Sequence, residues 1–389
     1  MNEQSTPTNT GHGRFVLNIS QLKPGDIILE HGYKVHSIAI AAATKSHYSH
    51  AMLYVGGTIM EATSHGRVYS RVPNRVIVLN QDDLKVLRLK NPIPLRNLKL
   101  ITEFARNLSG SKYSVREALL VKGGGIKQQA NMTRKQFCSR LVAQSYNEAG
   151  IQLVSNNNFC SPADLEHSDL VYEVVDAGRE ASEAEIEHAY SKSVHKDHHQ
   201  TAVDFSARSI KFLSDRGVTT VHQHGKGHVN ITTHNDIFQA VYDNRIRKEL
   251  DQGVADIMWS TGYMDGPFDD QRSNPFRYNL DDFITKFSSM SVIERMIGFH
   301  TELHKELESI DLRIDNFIIA STNLSSRLEV NKNMYYIQYN MLSTMRERLV
   351  VIRESARFYI SEMNMNTYLG MSDAQISKID LNLKRYATG

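Results

Sequence analysis

Cysteine is scarce in this chain. Among 389 residues only Cys138 and Cys160 are cysteines, and no CxxC pair occurs. Disulfide frameworks and finger-type zinc sites need several cysteines at paired spacings, so the sequence excludes both. Each of the two cysteines therefore has to be explained singly, as packing or as chemistry.

Long apolar runs and an excess of one charge are also missing. No stretch approaches the roughly 18 apolar residues of a membrane-spanning helix, and the polar start MNEQSTPTNTGHGR has no apolar core of a secretory signal. We therefore expect a cytoplasmic protein without a transmembrane segment, and leave open its export as an effector by a signal-independent route. Because the net charge of +2 comes from mixed charges without a basic, aromatic-rich face, we expect no nucleic-acid partner.

The length and composition indicate a globular protein of more than one domain. A hydrophobic content of 41% is enough for a sizeable core, and 389 residues exceed one ordinary domain. Changes of character along the chain suggest four regions. These are a disordered head at 1–19, a folded domain at 20–172, a mixed, histidine-rich and mainly helical region at 173–280, and a helical hairpin region at 281–389.

Residues 20–90 are rich in short β-branched runs separated by Gly, Pro or Asn, which predict a compact sheet. The predicted strands are DIILEHG, HAMLYVGG, TIMEAT, RVYSRV, RVIVLN and LKVLRLK. A helix is predicted over 96–109, where apolar residues recur at helical spacing before Gly110.

Apolar residues at steps of three and four predict two long helices near the C-terminus. One stripe runs from Leu303 to Phe317 and the next from Ile337 to Ile352, with a break at 323–326. A helical hairpin is the simplest arrangement. Its apolar stripe is most often core, and self-association through these helices is the alternative.

Cys138 lies near the start of a predicted amphipathic helix, QFCSRLVAQSY. Thr133 and Gln136 fit a capping box, and Met132 and Phe137 fit a hydrophobic staple. The unpaired amides of a first turn favour a thiolate, which is the nucleophilic form of cysteine. A free cysteine on a helix is nevertheless usually a small buried apolar residue, so a catalytic role requires a base.

The β-rich region supplies a candidate base. His50 opens the alternating strand HAMLYV, Gly56 and Gly57 predict a hairpin turn, and Glu61 lies on the returning strand. Cross-strand neighbours on one face would let the carboxylate hold one imidazole nitrogen while the other takes a thiol proton from Cys138. The alternatives are a half-buried strand histidine and a surface glutamate.

Five motifs occur in a characteristic order: LKPGDIIL, SHAMLYVGG with MEA, a lone Tyr113, FCSRLVAQSY and FCSPADLEHS. Together they resemble the permuted papain-like cysteine amidases of the YaeF/YiiX type. These are relatives of the NlpC peptidoglycan hydrolases and of lecithin retinol acyltransferase. In unpermuted relatives the cysteine precedes the histidine, whereas here the order is histidine, acid, cysteine. The resemblance covers about residues 20–172.

The resemblance implies a permuted papain-like, NlpC-like antiparallel sheet packed on helices. Together with the predicted helical C-terminal region that follows it, this gives an α+β fold. The resemblance also implies Cys138 as nucleophile, His50 as base and Glu61 as the orienting residue, with Tyr113 and Ser49 as candidate supporting residues. The expected reaction is hydrolysis of a peptide or N-acyl amide through a thioester. Candidate substrates are a cell-wall peptide, a lipid amide and a protein conjugate.

Two other functions stay open. Acyltransferase relatives carry a second histidine where Glu61 stands, and Ser139 and Arg140 also differ from their pattern, so the acyl acceptor is not fixed. A lipid-directed thiol acyltransferase or esterase is therefore one alternative. The other is a non-enzymatic binding module built on a degenerate papain-like domain.

The remaining candidates have simpler explanations. Cys160 precedes a proline in a loop without an assigned base and is predicted to be structural, and His47 is predicted to be a loop residue. A metal site in the histidine-rich segment is a weak alternative to a solvated surface, because the spacing matches no known site. We expect no cofactor. The histidines concerned are His195, His198, His199, His222 and His224.

Overall fold

The chain divides into two compact units, Met1–Lys192 and Ser193–Gly389. The computed structural model describes residues 14–33, 46–63, 67–113, 134–191, 194–223, 227–361 and 364–386. Each unit has its own hydrophobic core, and the two are described separately.

The first unit contains two antiparallel sheets and a set of helices. Its strands are β1 (Phe15–Leu17), β2 (Ile27–Glu30), β3 (His50–Tyr54), β4 (Ile59–Ala62), β5 (Val68–Arg71), β6 (Ile77–Val78), β7 (Leu84–Leu89), β8 (Val171–Glu173) and β9 (Gly178–Glu180). Within the described residues, the strand orders are β5-β4-β3-β2-β7-β8 and β6-β1-β9. The helices are α1 (Leu95–Asn107), α2 (Cys138–Glu148), α3 (Pro162–Glu166) and α4 (Glu183–Tyr190).

The central strands of the larger sheet are buried on both faces. Alternate residues such as Leu29 and Leu53 share a core with Leu141 of α2, whereas Ile28 and Met52 belong to a second core on the opposite face. Because successive side chains of a strand point to opposite faces, a strand covered on both sides reads as a continuous apolar run. The sheet packed on helices confirms the predicted α+β class.

The predicted hairpin between β3 and β4 is present. Gly56 and Gly57 have φ values of 89° and 67°, and the Val55 N–H donates to the Thr58 carbonyl at 2.9 Å. A two-residue turn with positive φ at both central positions suits glycine and matches the twist of the paired strands. This turn fixes the register that brings the candidate base and its carboxylate onto neighbouring strands.

The second unit is mainly helical. Its helices are α5 (Val194–Ser214), α6 (His234–Asp243), α7 (Lys248–Ser260), α8 (Asp269–Ser273), α9 (Leu280–Ser288), α10 (Val292–Asn323), α11 (Glu329–Phe358) and α12 (Asn366–Tyr386), and its strands are β10 (Thr220–Gln223) and β11 (Gly227–Asn230). The long pair α10 and α11 confirms the predicted helical hairpin, with buried Leu303, Phe317 and Leu349 in one core. None of the described helices has both the length and the apolar character of a membrane span.

Folded structure extends beyond the predicted limits of the first domain, residues 20 and 172, at both ends. Residues 1–13 of the predicted disordered head lie outside the described residues, but Phe15–Leu17 is a strand that pairs with β6 and β9. Beyond the predicted limit at 172, Val174 and Ala177 are buried in the second core of the first unit. These contacts continue the sheet structure past residue 172.

We predict that a chain ending at residue 172 is less stable to urea than one ending at 192. The shorter chain loses the pairing of β9 with β1 and the buried side chain of Val174, and full burial of a valine stabilises by about 1.5–3 kcal/mol. Urea unfolding followed by circular dichroism measures the difference. A chain ending at residue 181 is the control and should recover most of it, whereas equal midpoints for 172 and 192 would contradict the prediction.

Candidate active site

Cys138 is the first residue of α2, and its thiol is buried. The preceding Phe137 is extended, with φ −142° and ψ 166°, and no side chain caps the helix. The backbone N–H groups of Ala51 and Ser139 donate hydrogen bonds to the sulfur. The sulfur thus lies among amide donors at a helix N-terminus, an environment that favours the thiolate.

The helix start predicted from the sequence is wrong. Gln136, assigned to the third helical position, instead forms an isolated parallel bridge with Tyr113. Its expected capping partner Thr133 and the staple residue Met132 lie outside the described residues. Because the chain stays extended up to the residue before Cys138, the cysteine stands at the first helical position, where the amides have no partners within the helix.

A buried arginine holds the start of α2 in place. Arg140 is fully buried, and its guanidinium donates to the carbonyls of Lys135 and Asn158, each at 2.8 Å. The hydroxyl of Ser139 donates to the Cys160 carbonyl at 2.6 Å. These bonds tie the helix to the segment before it and to the loop after it, which fixes the neighbouring cysteine.

His50 connects the cysteine to a carboxylate. Its Nε2 donates to Oε2 of Glu61 at 2.8 Å, and the imidazole is also hydrogen-bonded to the Cys138 thiol. The register pairs Leu53 with Met60, so Glu61 lies diagonally across the hairpin from His50. A diagonal pair on one face remains within reach of long side chains. The three residues predicted as the site therefore form one hydrogen-bonded series.

The carboxylate of this series is buried and ionised. Burial by itself would raise the pKa of Glu61, but the charge of Arg71 and the hydrogen bonds from His50 and Tyr69 lower it to about 2. Arg71 Nη1 lies 3.8 Å from Glu61 and 3.4 Å from Glu30. A carboxylate with so low a pKa cannot act as a general base near neutral pH, but it can orient and stabilise an imidazolium.

The thiol and the imidazole favour each other's charged form. Burial would lower the pKa of His50, yet its hydrogen bonds to Cys138 and Glu61 raise it well above 6.5. Burial would likewise raise the pKa of Cys138, but the hydrogen bond and charge of His50 lower it from 9.0. The two shifts together favour a thiolate–imidazolium pair, the state in which a cysteine is nucleophilic at neutral pH.

Sequence reasoning missed two residues of the site, Tyr69 and Arg71. Their segment, RVYSRV, predicts a strand but no functional residue. In the structure Tyr69 pairs with Glu61 and Arg71 pairs with Ile59, which puts both side chains on the face of the carboxylate. The alternation of residues in this strand places Tyr69 and Arg71 on the same face. Only the register of β4 against β5 shows that this face is the one that carries Glu61.

The two predicted supporting residues have different surroundings. Tyr113 packs against the core that contains Cys138, and burial together with the negative charge of that cysteine raises the pKa of the phenol. Ser49 is buried, and its hydroxyl accepts a hydrogen bond from the Gly32 N–H at 2.9 Å. Tyr113 thus lies near the sulfur, while Ser49 holds a neighbouring chain segment. Their catalytic support stays a prediction.

Cys160, predicted to be structural, and His47, predicted to be a loop residue, lie in different environments. Cys160 is buried, and burial raises the pKa of its thiol, so it stays protonated at neutral pH. His47 is half-exposed, and its Nε2 contacts Oδ1 of Asp83 at 2.8 Å. Neither has the contacts of the Cys138 pair.

The weakly predicted metal site is only partly within the described residues. His224 and the side chains of His195 and His198 lie outside them. His199 is on α5 and His222 on β10. Among the residues that the structure describes, the group of three or more metal-ligating side chains that could share an ion is a different one, formed by His31, His47 and Asp83.

Residues 21–204 match a family model described as permuted papain-like amidase enzyme, YaeF/YiiX, C92 family. The predicted resemblance is thereby confirmed. A solved structure, the metalloprotein yiiX from Escherichia coli O157:H7, is 19% identical, covers 40% of this chain and 97% of its own, and has a TM-score of 0.31. No curated protein matches the chain.

We predict that iodoacetamide modifies Cys138 at pH 7 far faster than Cys160. The pKa of Cys138 is lowered from 9.0, which raises its thiolate fraction at pH 7, whereas the raised pKa of Cys160 keeps that residue protonated. In His50→Ala the pKa of Cys138 rises, so the pH profile of its alkylation moves to higher pH. The rate at pH 7 should fall by about tenfold or more, because an ordinary thiol is only a few per cent ionised there.

Peptide mapping by mass spectrometry after timed alkylation gives both rates in one sample. Cys160→Ala is the matched control and should leave the Cys138 profile unchanged. An unmoved profile in His50→Ala would show that the imidazole does not set the ionisation of the thiol.

Proposed function

Because residues 21–204 match the model of the permuted papain-like amidase family, we propose that the first unit hydrolyses an amide bond through a thioester acyl-enzyme. The observation that carries this proposal is the continuous series of hydrogen bonds from Cys138 through His50 to Glu61. Nucleophile, base and orienting residue in contact are the minimum that thiol catalysis requires.

The first half of the reaction forms the acyl-enzyme. The Cys138 thiolate attacks the amide carbonyl carbon, and the electron pair of the C=O bond moves to oxygen. The backbone N–H of Cys138, at the N-terminus of α2, is the candidate donor for this oxyanion. The His50 imidazolium then gives its proton to the leaving nitrogen as the C–N bond breaks, which leaves a thioester and a free amine.

The second half releases the acid. Neutral His50 takes a proton from water, the resulting hydroxide attacks the thioester carbonyl, and the sulfur leaves as a thiolate. The cycle ends with the thiolate–imidazolium pair restored. Glu61 keeps its charge throughout, since a carboxyl with a pKa of about 2 does not hold a proton at neutral pH. Its role in this scheme is to fix the imidazole and stabilise its positive charge.

The proposal specifies the bond that reacts, an amide, but not the molecule that carries it. A peptide or N-acyl amide fits the chemistry, whether it belongs to a cell-wall peptide, a lipid amide or a protein conjugate. Transfer of the acyl group to an acceptor other than water uses the same thioester and is the second candidate activity. A non-enzymatic binding module gains nothing from a lowered pKa at Cys138, and that shift favours the enzymatic proposals.

A cytoplasmic location and self-association through the C-terminal helices stay predictions.

We predict that Cys138→Ala abolishes hydrolysis, whereas Cys160→Ala keeps the rate within a few-fold. Glu61→Gln should retain the fold and lower the turnover rate by on the order of 10²- to 10⁴-fold, the contribution of one acid–base element. A panel of peptide and N-acyl aminomethylcoumarin amides measures the rates. Intact mass spectrometry of the wild-type protein, quenched with acid during turnover of the best substrate, should show an acyl mass on Cys138.

The pattern across variants decides the assignment. Equal loss in both cysteine variants points to unfolding rather than chemistry and is checked by circular dichroism. Full activity of a folded Cys138→Ala protein would refute the nucleophile. An acyl adduct that dissociates only when an amine or alcohol acceptor is added would assign transfer rather than hydrolysis.

A further inference from the structure

Three metal-ligating side chains meet at one end of the central sheet. His31 follows β2 directly, His47 precedes β3, and Asp83 is the residue before β7. The register pairs Glu30, the last residue of β2, with both the first residue of β3 and the first residue of β7. Because β2 lies between β3 and β7, the residues just beyond these pairs are brought together at the same edge.

The ligand atoms of this group are close enough to share an ion. One nitrogen of His31, one nitrogen of His47 and one oxygen of Asp83 all lie within 4.8 Å of one another. The two imidazoles are stacked, with centroids 4.6 Å apart and planes 21° apart. His47 Nε2 already lies 2.8 Å from Asp83 Oδ1, so only small side-chain movements would bring all three to one cation.

The bonds around these side chains leave electron pairs for a metal. Nδ1 of His31 donates to the His47 carbonyl at 2.6 Å, which places the imidazole proton on Nδ1 and the lone pair on Nε2. Asp83 Oδ2 accepts from the Tyr33 hydroxyl at 2.6 Å and from Asn80 Nδ2 at 2.7 Å. Its Oδ1 therefore carries the remaining acceptor capacity. Metal-binding histidines and carboxylates are usually oriented by outer hydrogen bonds of this kind.

We propose that His31, His47 and Asp83 bind one divalent transition-metal ion of the Zn²⁺ type. Two imidazoles and one carboxylate suit borderline ions such as Zn²⁺, Co²⁺ and Ni²⁺, whereas Mg²⁺ and Ca²⁺ prefer oxygen ligands alone. His47 binds through Nε2, with its ring proton on Nδ1. Water completes the four-coordinate shell that Zn²⁺ adopts with three protein ligands.

An ion can reach this site. The His47 side chain is 50% exposed, and the same residue lines a cavity of about 550 Å³ together with Asp82 and Lys85. Asp83, in contrast, is 2% exposed and supplies a fixed, oriented carboxylate. The site thus combines one buried anchor with an accessible imidazole, as a site that takes up an ion after folding requires.

A bound ion would cross-link the ends of three neighbouring strands. One of them, β3, begins with His50, and another, β2, ends with Glu30, whose carboxylate contacts Arg71 beside Glu61. A ligand that binds only the folded chain raises its stability in proportion to the logarithm of its concentration over its Kd. The ion would therefore stabilise the strands that carry the base, independently of the thioester chemistry.

The test uses the full chain with Cys138→Ala, which removes the thiolate that would itself bind Zn²⁺. After dialysis against a chelator, Zn²⁺ is titrated by isothermal calorimetry, and bound zinc is counted by elemental analysis. We expect one tight equivalent and a higher melting temperature with Zn²⁺. Added His31→Ala or His47→Ala should weaken this binding at least tenfold and remove the thermal shift.

A matched control checks the other histidines. His222 and His228 are exposed and face each other across β10 and β11, with ring centroids 5.7 Å apart. Their double replacement by Ala should leave the tight equivalent intact. Asp83→Asn, read with circular dichroism to verify folding, should weaken binding as the histidine variants do. The proposal fails if no tight equivalent binds, if it survives in folded His31→Ala and His47→Ala proteins, or if it is lost in the control instead.

Discussion

The site depends on a buried carboxylate that stays charged. Glu61 is 2% exposed, and an isolated ion so deeply buried would cost several kcal/mol. Arg71 offsets this cost through its charge, and Tyr69 and His50 add hydrogen bonds to the carboxylate. Because Glu61 remains negative, His50 can remain positive, and because His50 is positive, Cys138 can hold its negative charge. Positive and negative charges thus alternate from the Arg71 guanidinium through Glu61 and His50 to the Cys138 sulfur.

Two parts of the fold, the β3–β4 hairpin and helix α2, position these charged groups. The hairpin of β3 and β4 delivers His50 and Glu61 on adjacent strands, and its Gly56–Gly57 turn sets their offset. The helix α2 delivers Cys138 at its first residue, where the helix dipole and the unpaired amides add to the pull on the thiolate. Buried Arg140 then prevents the start of that helix from shifting, since its guanidinium binds carbonyls on both sides of it.

Local features of this architecture could be read from the sequence, and features that depend on distant pairing could not. The glycine turn, the alternating strand HAMLYV, the trio of Cys138, His50 and Glu61 and the two long C-terminal helices all follow from short-range patterns. Arg71 was missed because its role requires the register of β5 against β4. The same holds for the metal-ligating group, whose members approach only because β2 lies between two strands that are distant from each other in the chain.

The start of α2 shows a different limit. The residues around Thr133 and Gln136 satisfy a capping box, yet Gln136 pairs with Tyr113 and the chain stays extended as far as Phe137. A local capping pattern is a weak preference, and tertiary pairing overrode it. Cys138 is therefore the first helical residue, whereas the pattern predicted a later position. The first position favours the thiolate more, because the amides there have no partners within the helix.

The central claim is that His50 and Cys138 form an ion pair held by Glu61, and a titration of the His50 imidazole tests it most directly. The ring carbon and nitrogen signals of His50, followed by NMR from pH 5 to pH 10, report its pKa in the wild type and in Cys138→Ala. The account predicts a pKa well above 6.5 in the wild type and a lower one in Cys138→Ala, where the thiolate is absent but Glu61 remains. An unchanged titration of His50 on loss of the thiol would contradict the ion pair.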